Sequence, residues 1–327
     1  MKLISIFGIL VVILLFVGTS AHAQIIPTAL SITATPRAPA PGEAVRVRAA
    51  TPSISKDGLI FSWTIDGRAR ADLSGLGADT IQLTAGALGS TLRVGVSVRQ
   101  GVKSIGSTSL IIPVSRLSLT WFAETYTPRW YKGKALPVEQ SVVTITAIPE
   151  VIINGQRIAP ENLIYHWSYD DQDNIEEGRG KRTFRIRTRD FPQSSHDIRL
   201  VVEDMSHTLY QEGRLFILTT EPQGEIYALT PMGGVAANTT LQNFYAPTRG
   251  SYDFVFEPFF FPITTRGELN YQWSLNNTLL VGAPENPYFL TIDGTQQQGT
   301  QANISLSAKS SSPYIPTVYR SFTMSFP

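Results

Sequence analysis

One tryptophan-centred stretch occurs three times in this chain, as LIFSWTIDGR (59–68), LIYHWSYDDQ (163–172) and LNYQWSLNNT (269–278). Its tryptophans, Trp63, Trp167 and Trp273, stand 104 and 106 residues apart. Self-similarity at a near-constant period marks an array of like units and restricts the fold to one that can repeat at that interval. Within each copy, apolar side chains alternate with polar ones. Leu59, Phe61, Trp63 and Ile65 correspond to Leu163, Tyr165, Trp167 and Tyr169, and to Leu269, Tyr271, Trp273 and Leu275. Successive side chains of a strand point to opposite faces, so this period of two predicts a strand with one buried face. The wet face carries Ser62 and Thr64, His166 and Ser168, or Gln272 and Ser274. A turn-prone pair follows each strand, Asp66-Gly67, Asp170-Asp171 or Asn276-Asn277, residues that tolerate positive φ and suit a tight hairpin.

Other segments keep register with the tryptophan. EAVRVRAATP, SVVTITAIPE and YDFVFEPFFF precede it; TLRVGVSVRQ, DIRLVVEDMS and ANISLSAKSS follow, each succeeded by a last strand, STSLIIPV, GRLFILTTEP or YRSFTMSF. Alternation, β-branched residues and frequent turn clusters, in a chain with 25 glycines and 21 prolines, predict antiparallel sheets rather than helices. A repeat of about 100 residues is the size of an immunoglobulin-type sandwich. The expected fold is therefore all-β, with three tandem antiparallel immunoglobulin-like β-sandwiches over 29–113, 114–219 and 220–327. No Ser/Gly linker separates them, which predicts a semi-rigid rod. On this reading Trp167→Ala unfolds the middle unit, whereas Asp170→Ala and Asp171→Ala cost little.

The motifs FSW, YHW and YQW, with the proline-rich opening ATPRAPAPGEAVRVRA, resemble bacterial immunoglobulin-like or PKD-like domains, whose third strand carries an aromatic-x-Trp before a short turn. The resemblance spans nearly all of 29–327. The chain lacks the Phe-Gly-Asp-Gly that follows in PKD domains and the cysteine pair of antibody domains, so the superfamily is better matched than any one family. The layout also resembles exported bacterial proteins with tandem repeats of this kind, a likeness that transfers no active site.

The N-terminus, MKLISIFGILVVILLFVGTSAHAQ, combines Lys2, an apolar run and the small residues Ala21 and Ala23 before Gln24. This pattern predicts a signal peptide over 1–23, cleaved before Gln24. The apolar run is short against the roughly 20 residues of a spanning helix, so the membrane is a partner only if this segment stays uncleaved. Removing it leaves 26 basic and 26 acidic groups. A neutral protein of this size is a poor general partner for nucleic acid. Cysteine is absent, which excludes disulfides, thiolate metal sites and cysteine nucleophiles.

The acidic run DDQDNIEEG (170–178) fails as a calcium loop: counting from Asp171, Ile175 holds the fifth place and Glu176 the sixth, where an oxygen ligand and glycine belong. Hairpin acids paired with the following basic strand, GRGKRTFRIRTRDF, account for it better. There Phe184 and Ile186 alternate with Arg185, Arg187 and Arg189, as in a charged edge strand that resists pairing with other chains; an anionic polymer site is the minor alternative. GRGKRT lacks the glycine spacing and hydroxyl of a phosphate loop, and no H-E-x-x-H or G-x-S-x-G occurs. The sequons NTT, NNT and NIS carry no meaning expected in a bacterial protein. No catalytic residue, metal or cofactor is expected.

The segment LTWFAETYTPRWYKGKALP (119–137) has no counterpart at matching position in the other repeats. Its Trp121, Trp130, Tyr131, Lys132 and Lys134 form a candidate patch, either a seal between the first and second units or a ring platform for sugar. EPFFFP (257–262) is core, joint or contact patch. The expected function is a non-enzymatic exported surface or envelope protein acting as a structural, spacer or adhesive element, with a protein or glycan partner. Carbohydrate binding through Trp130 and Tyr131, or docking in a secretion or pilus-like assembly, are the alternatives.

Overall fold

A computed structural model describes residues 30–51, 54–153, 155–230, 232, 234–236, 240–281, 286–295 and 299–326. Ala21, Ala23 and Gln24 lie outside the described residues. Among the described residues no helix is long and apolar enough to cross a membrane.

Three tandem antiparallel β-sandwiches make up the described residues. Each pairs a three-stranded sheet with a larger sheet built on the tryptophan strand. In the first, Ser31–Thr35, Ala44–Ala50 and Thr80–Thr84 face Arg68–Ala69, Ile60–Ile65, Thr91–Gln100 and Lys103–Pro113. In the second, Arg116–Ala123, Val142–Glu150 and Thr183–Arg187 face Gln172–Arg179, Ile164–Tyr169, Ser195–Glu203 and Tyr210–Leu218. In the third, Gln223–Ala228, Ser251–Phe259 and Phe289–Asp293 face Thr278–Leu279, Asn270–Leu275, Gln301–Lys309 and Val318–Ser325, with Asn243–Tyr245 added in parallel beyond the last strand. In every unit the strand after the tryptophan hairpin, two residues long in the first and third and eight in the second, stays beside the tryptophan strand. Antibody constant domains instead put their fourth strand in the opposite sheet.

The face that the period-two pattern predicts turns inward, with Ile65, Tyr169, Tyr271 and Leu275 half-buried at its margin. Trp63, Trp167 and Trp273 are 1 %, 0 % and 5 % exposed and anchor three separate cores. A buried indole N–H needs an acceptor, and here the repeat extends to hydrogen bonds. Trp63 Nε1 donates to the Ala78 carbonyl at 2.8 Å, Trp167 Nε1 to Lys181 at 2.7 Å and Trp273 Nε1 to Pro287 at 2.9 Å. A short 3-10 turn precedes each tryptophan strand, at Lys56–Gly58, Pro160–Asn162 and Arg266–Glu268. The Tyr165 and Tyr271 hydroxyls donate back into the latter two.

The hairpin residue is a structural staple, which corrects the expectation that Asp170→Ala costs little. Asp66, Asp170 and Asn276 all have positive φ, and each side-chain oxygen accepts a backbone N–H 27 residues downstream, from Arg93, Asp197 and Asn303 respectively. Their own N–H groups donate to the carbonyls of the same three residues. Asp170 also holds Arg189 at 2.5 Å. Asp171 has none of these contacts and is exposed.

Thr183–Arg187 is an edge strand, with Phe184 and Ile186 buried and Arg185 and Arg187 outward. Its own Arg185 pairs with Glu124 at 2.6 Å, and Lys181 just before it pairs with Glu176 at 3.3 Å. His166 lies on the wet face, 3.2 Å from Glu177.

Candidate functional site

The patch predicted at 121–134 divides between two sandwiches. Trp121 sits in the strand Arg116–Ala123, and the Lys134 ammonium lies 3.2 Å from its ring centroid, a cation over a π face within the second unit. Burial there pushes the Lys134 pKa down. Lys132 is exposed. Trp130 and Tyr131 instead leave the second sandwich and pack on the third. Trp130 meets Tyr227 and Phe259 edge-on at 5.5 and 5.8 Å, and Tyr131 meets Phe259 and Phe260 at 5.5 and 5.9 Å. Both rings are half-buried.

Sequence reading placed these rings between the first and second units because they lie near that boundary in the chain. The structure puts them at the other joint, because the strand Arg116–Ala123 runs the length of the second sandwich before the arm emerges at its far end. The first joint uses other residues. Ala38 enters the second core, Ser115 N–H donates to Pro39, and Arg37 lies 4.5 Å over the Tyr210 ring. Gly89, at φ +79°, has no room for a side chain: a Cβ there would sit 2.8 Å from Ile152.

At the second joint the arm is held by backbone as well as rings. Tyr126 N–H donates to the Phe261 carbonyl at 2.8 Å and the Tyr126 carbonyl accepts from Phe260 N–H at 2.7 Å, while Thr220 N–H donates to the Pro137 carbonyl. Val138 belongs to the third core, and Ser312 donates to Gln140 across the joint at 2.8 Å. EPFFFP is thus core and joint together: Phe259, Phe260 and Phe261 are buried and receive the arm.

Beside the arm opens a cleft of about 880 Å³ lined by Tyr126, Arg129, Trp130, Glu257, Arg266 and Tyr288, among others. Glu257 is 4 % exposed; one oxygen accepts from Arg266 at 2.6 Å and the other has no protein partner. Burial raises its pKa, opposed by the Arg266 charge. Burial, and secondly the Glu257 charge, raise Tyr126; burial also pushes Tyr271 up. Arg266 also packs on a ring, its guanidinium 4.3 Å from the Tyr288 ring centroid. Among the described residues the cleft offers rings, two arginines and one buried carboxylate, but no second carboxylate for acid and base roles. Among the described residues no group of histidine and carboxylate side chains is arranged to hold a metal ion.

Sequence reading missed Glu257, Arg266 and Tyr288. The only available signal was a glutamate beginning an aromatic run, and the partner nine residues on gives no periodic cue. It missed Glu139 as well, wholly buried beside the joint with neither carboxylate oxygen partnered. Burial raises the Glu139 pKa against the pull of its own backbone N–H, which lies outside hydrogen-bond geometry, and the Glu221 charge raises it further.

By strand order and joint, the chain is a tandem array of immunoglobulin-like β-sandwiches. No protein-family profile matches it, and no curated protein sequence does. Similar solved structures include three N-terminal domains of the bacteriophage RB49 highly immunogenic outer capsid protein (Hoc), at 11 % identity over 91 % of this chain and 97 % of that one, with a TM-score of 0.25. Fibronectin(III)-like modules of Clostridium thermocellum CbhA align at 12 % identity over 58 % and 94 %, with a TM-score of 0.26. The central fibronectin-III array of RIM-binding protein aligns at 13 % over 90 % and 96 %, with a TM-score of 0.29. The strand order and not these likenesses defines the fold.

Proposed function

We propose that the chain is a non-enzymatic, extracytoplasmic structural or adhesive array of the kind found on bacterial envelopes, with its second and third sandwiches acting as one stiff unit. The observation that carries this reading is the arm, which lodges Trp130 and Tyr131 of one unit against Phe259 and Phe260 of the next. Stiff joints let an array hold a distal end away from its anchor, which a spacer or adhesin needs and a soluble single-site enzyme does not. The leader-like N-terminus supports export, and the partner is a protein or glycan of the surface. The only carboxylate noted in the joint cleft is already engaged by an arginine, which supports a non-catalytic role.

The sugar-platform reading of Trp130 and Tyr131 has less support, since both rings are engaged by the third sandwich. The test is a cell fractionation of the tagged chain joined to spin-label distances between the second and third units. Recovery outside the cytoplasm with a narrow distance distribution is expected. Cytoplasmic retention, or a broad distribution, would overturn the proposal.

A further inference from the structure

The wet faces of the three tryptophan-bearing sheets share one geometry and differ in chemistry. In the second sandwich this face is taken up by ion pairs, His166 with Glu177 and Asp197 with both Arg199 and Arg214. In the first, cross-strand register aligns Ser62 with Ser97 and Ser107, but its only aromatic residues, Phe61 and Trp63, point into the core. In the third, register sets two rows of uncharged groups, Gln272, Ser307 and Tyr319 in one and Ser274, Ser305 and Ser321 in the other.

A groove of about 710 Å³ runs over these rows, bordered by Thr240–Gln242 and by the Glu225–Arg320 ion pair at 3.0 Å. That volume is within the roughly 300–1,000 Å³ of small-ligand sites. Among the described residues, none of the six side chains hydrogen-bonds to the protein, so all their donors and acceptors are free for a ligand. Tyr319 is 69 % exposed. Neighbouring strands lie about 4.8 Å apart and residues on one face about 7 Å apart, so the rows form a hydroxyl and amide grid on the scale of one pyranose ring.

We infer that this groove binds a neutral glycan, with the Tyr319 ring against a sugar face and the serine and glutamine rows hydrogen-bonding its hydroxyls. A ring offers an apolar face with a polar tip, which suits a sugar's C–H face and hydroxyl rim. Among the described residues the only charges at the border are Glu225 and Arg320, which neutralise each other, so an acidic polymer would lose hydration there without gaining a free counter-charge. The inference gives the adhesive reading a ligand class. Its test is read in solution, so it stands or fails apart from where the chain resides and how stiff it is.

The experiment is calorimetric titration of the purified chain with dextran, xyloglucan and galactomannan, with polygalacturonate as the acidic counterpart. The same titrations are run on Tyr319→Ala and Tyr319→Phe, each checked for an unchanged melting curve. We expect at least one neutral polymer to bind, with affinity insensitive to salt. Tyr319→Ala should weaken it by about tenfold, equivalent to about 1.4 kcal/mol, and Tyr319→Phe should largely restore it. Absence of binding to every neutral polymer overturns the inference, as does equal binding by Tyr319→Ala. Salt-sensitive preference for polygalacturonate also overturns it, and would direct attention to the arginines of the second sandwich.

Discussion

At the residue scale the tryptophan and the hairpin residue do different work. Trp167 fills a core and stacks on Phe184 at 5.3 Å, so Trp167→Ala should destabilise the second sandwich by about 3–5 kcal/mol. Asp170 ties a hairpin to the strand Ser195–Glu203 through a charged acceptor. Asp170→Ala should cost about 1.5–3 kcal/mol and Asp171→Ala less than about 0.5 kcal/mol, in urea melts of the three variants. Equal melts for the two aspartate variants would contradict the staple. Glu139 makes a prediction of opposite sign. Its carboxyl is raised in the folded state, so the folded chain binds more protons than the unfolded one, and stability falls as pH rises from the ordinary glutamate range through the raised value. Glu139→Met should therefore raise the melting temperature at neutral pH. That advantage should shrink as the pH falls from the raised value towards about 4.3 and be gone below it, where the carboxyl is protonated in both states.

At the element scale the edge strand Thr183–Arg187 has to stay unpaired on one side. Its buried face secures it to Val142–Glu150, and its outward Arg185 and Arg187 discourage a second chain from adding there. Replacing both arginines with valine removes the charge and raises β propensity together. The expected result is concentration-dependent association by light scattering, with little change in the unfolding of dilute protein. A variant that stays monomeric would show that the edge is protected by some other means. The strand was readable as an edge because charge alternated with apolar residues over its whole length. Its register against Val142–Glu150 was not readable, since a period of two fixes faces but not which residue stands opposite.

For the whole molecule the joints matter more than any single unit. If the arm couples the second and third sandwiches, calorimetry of the intact chain should show them unfolding together. Trp130→Ala with Tyr131→Ala should separate that transition into two while leaving the first sandwich unchanged. Two resolved transitions in the unaltered chain would instead describe independent beads. The double variant is not expected to unfold either unit outright, because Trp130 and Tyr131 are only half-buried at the margin of the third core and take no part in the second.

The sequence by itself determined the number of units, the all-β class, the tryptophan cores and the faces of the strands. These are local properties: side-chain alternation and turn chemistry act over a few residues, and the repeat shows them three times. Only the tertiary structure decided where the arm goes, what Asp170 does and that Glu257 meets Arg266 beside Tyr126. Such contacts join residues far apart in the chain, as Gln140 meets Ser312 across 172 positions, and no periodic pattern records them. The same holds for the groove on the third sandwich. Its serines look alike in sequence to those of the first, and only the packing of Tyr319 and Thr240–Gln242 around them distinguishes a groove from a wetted sheet.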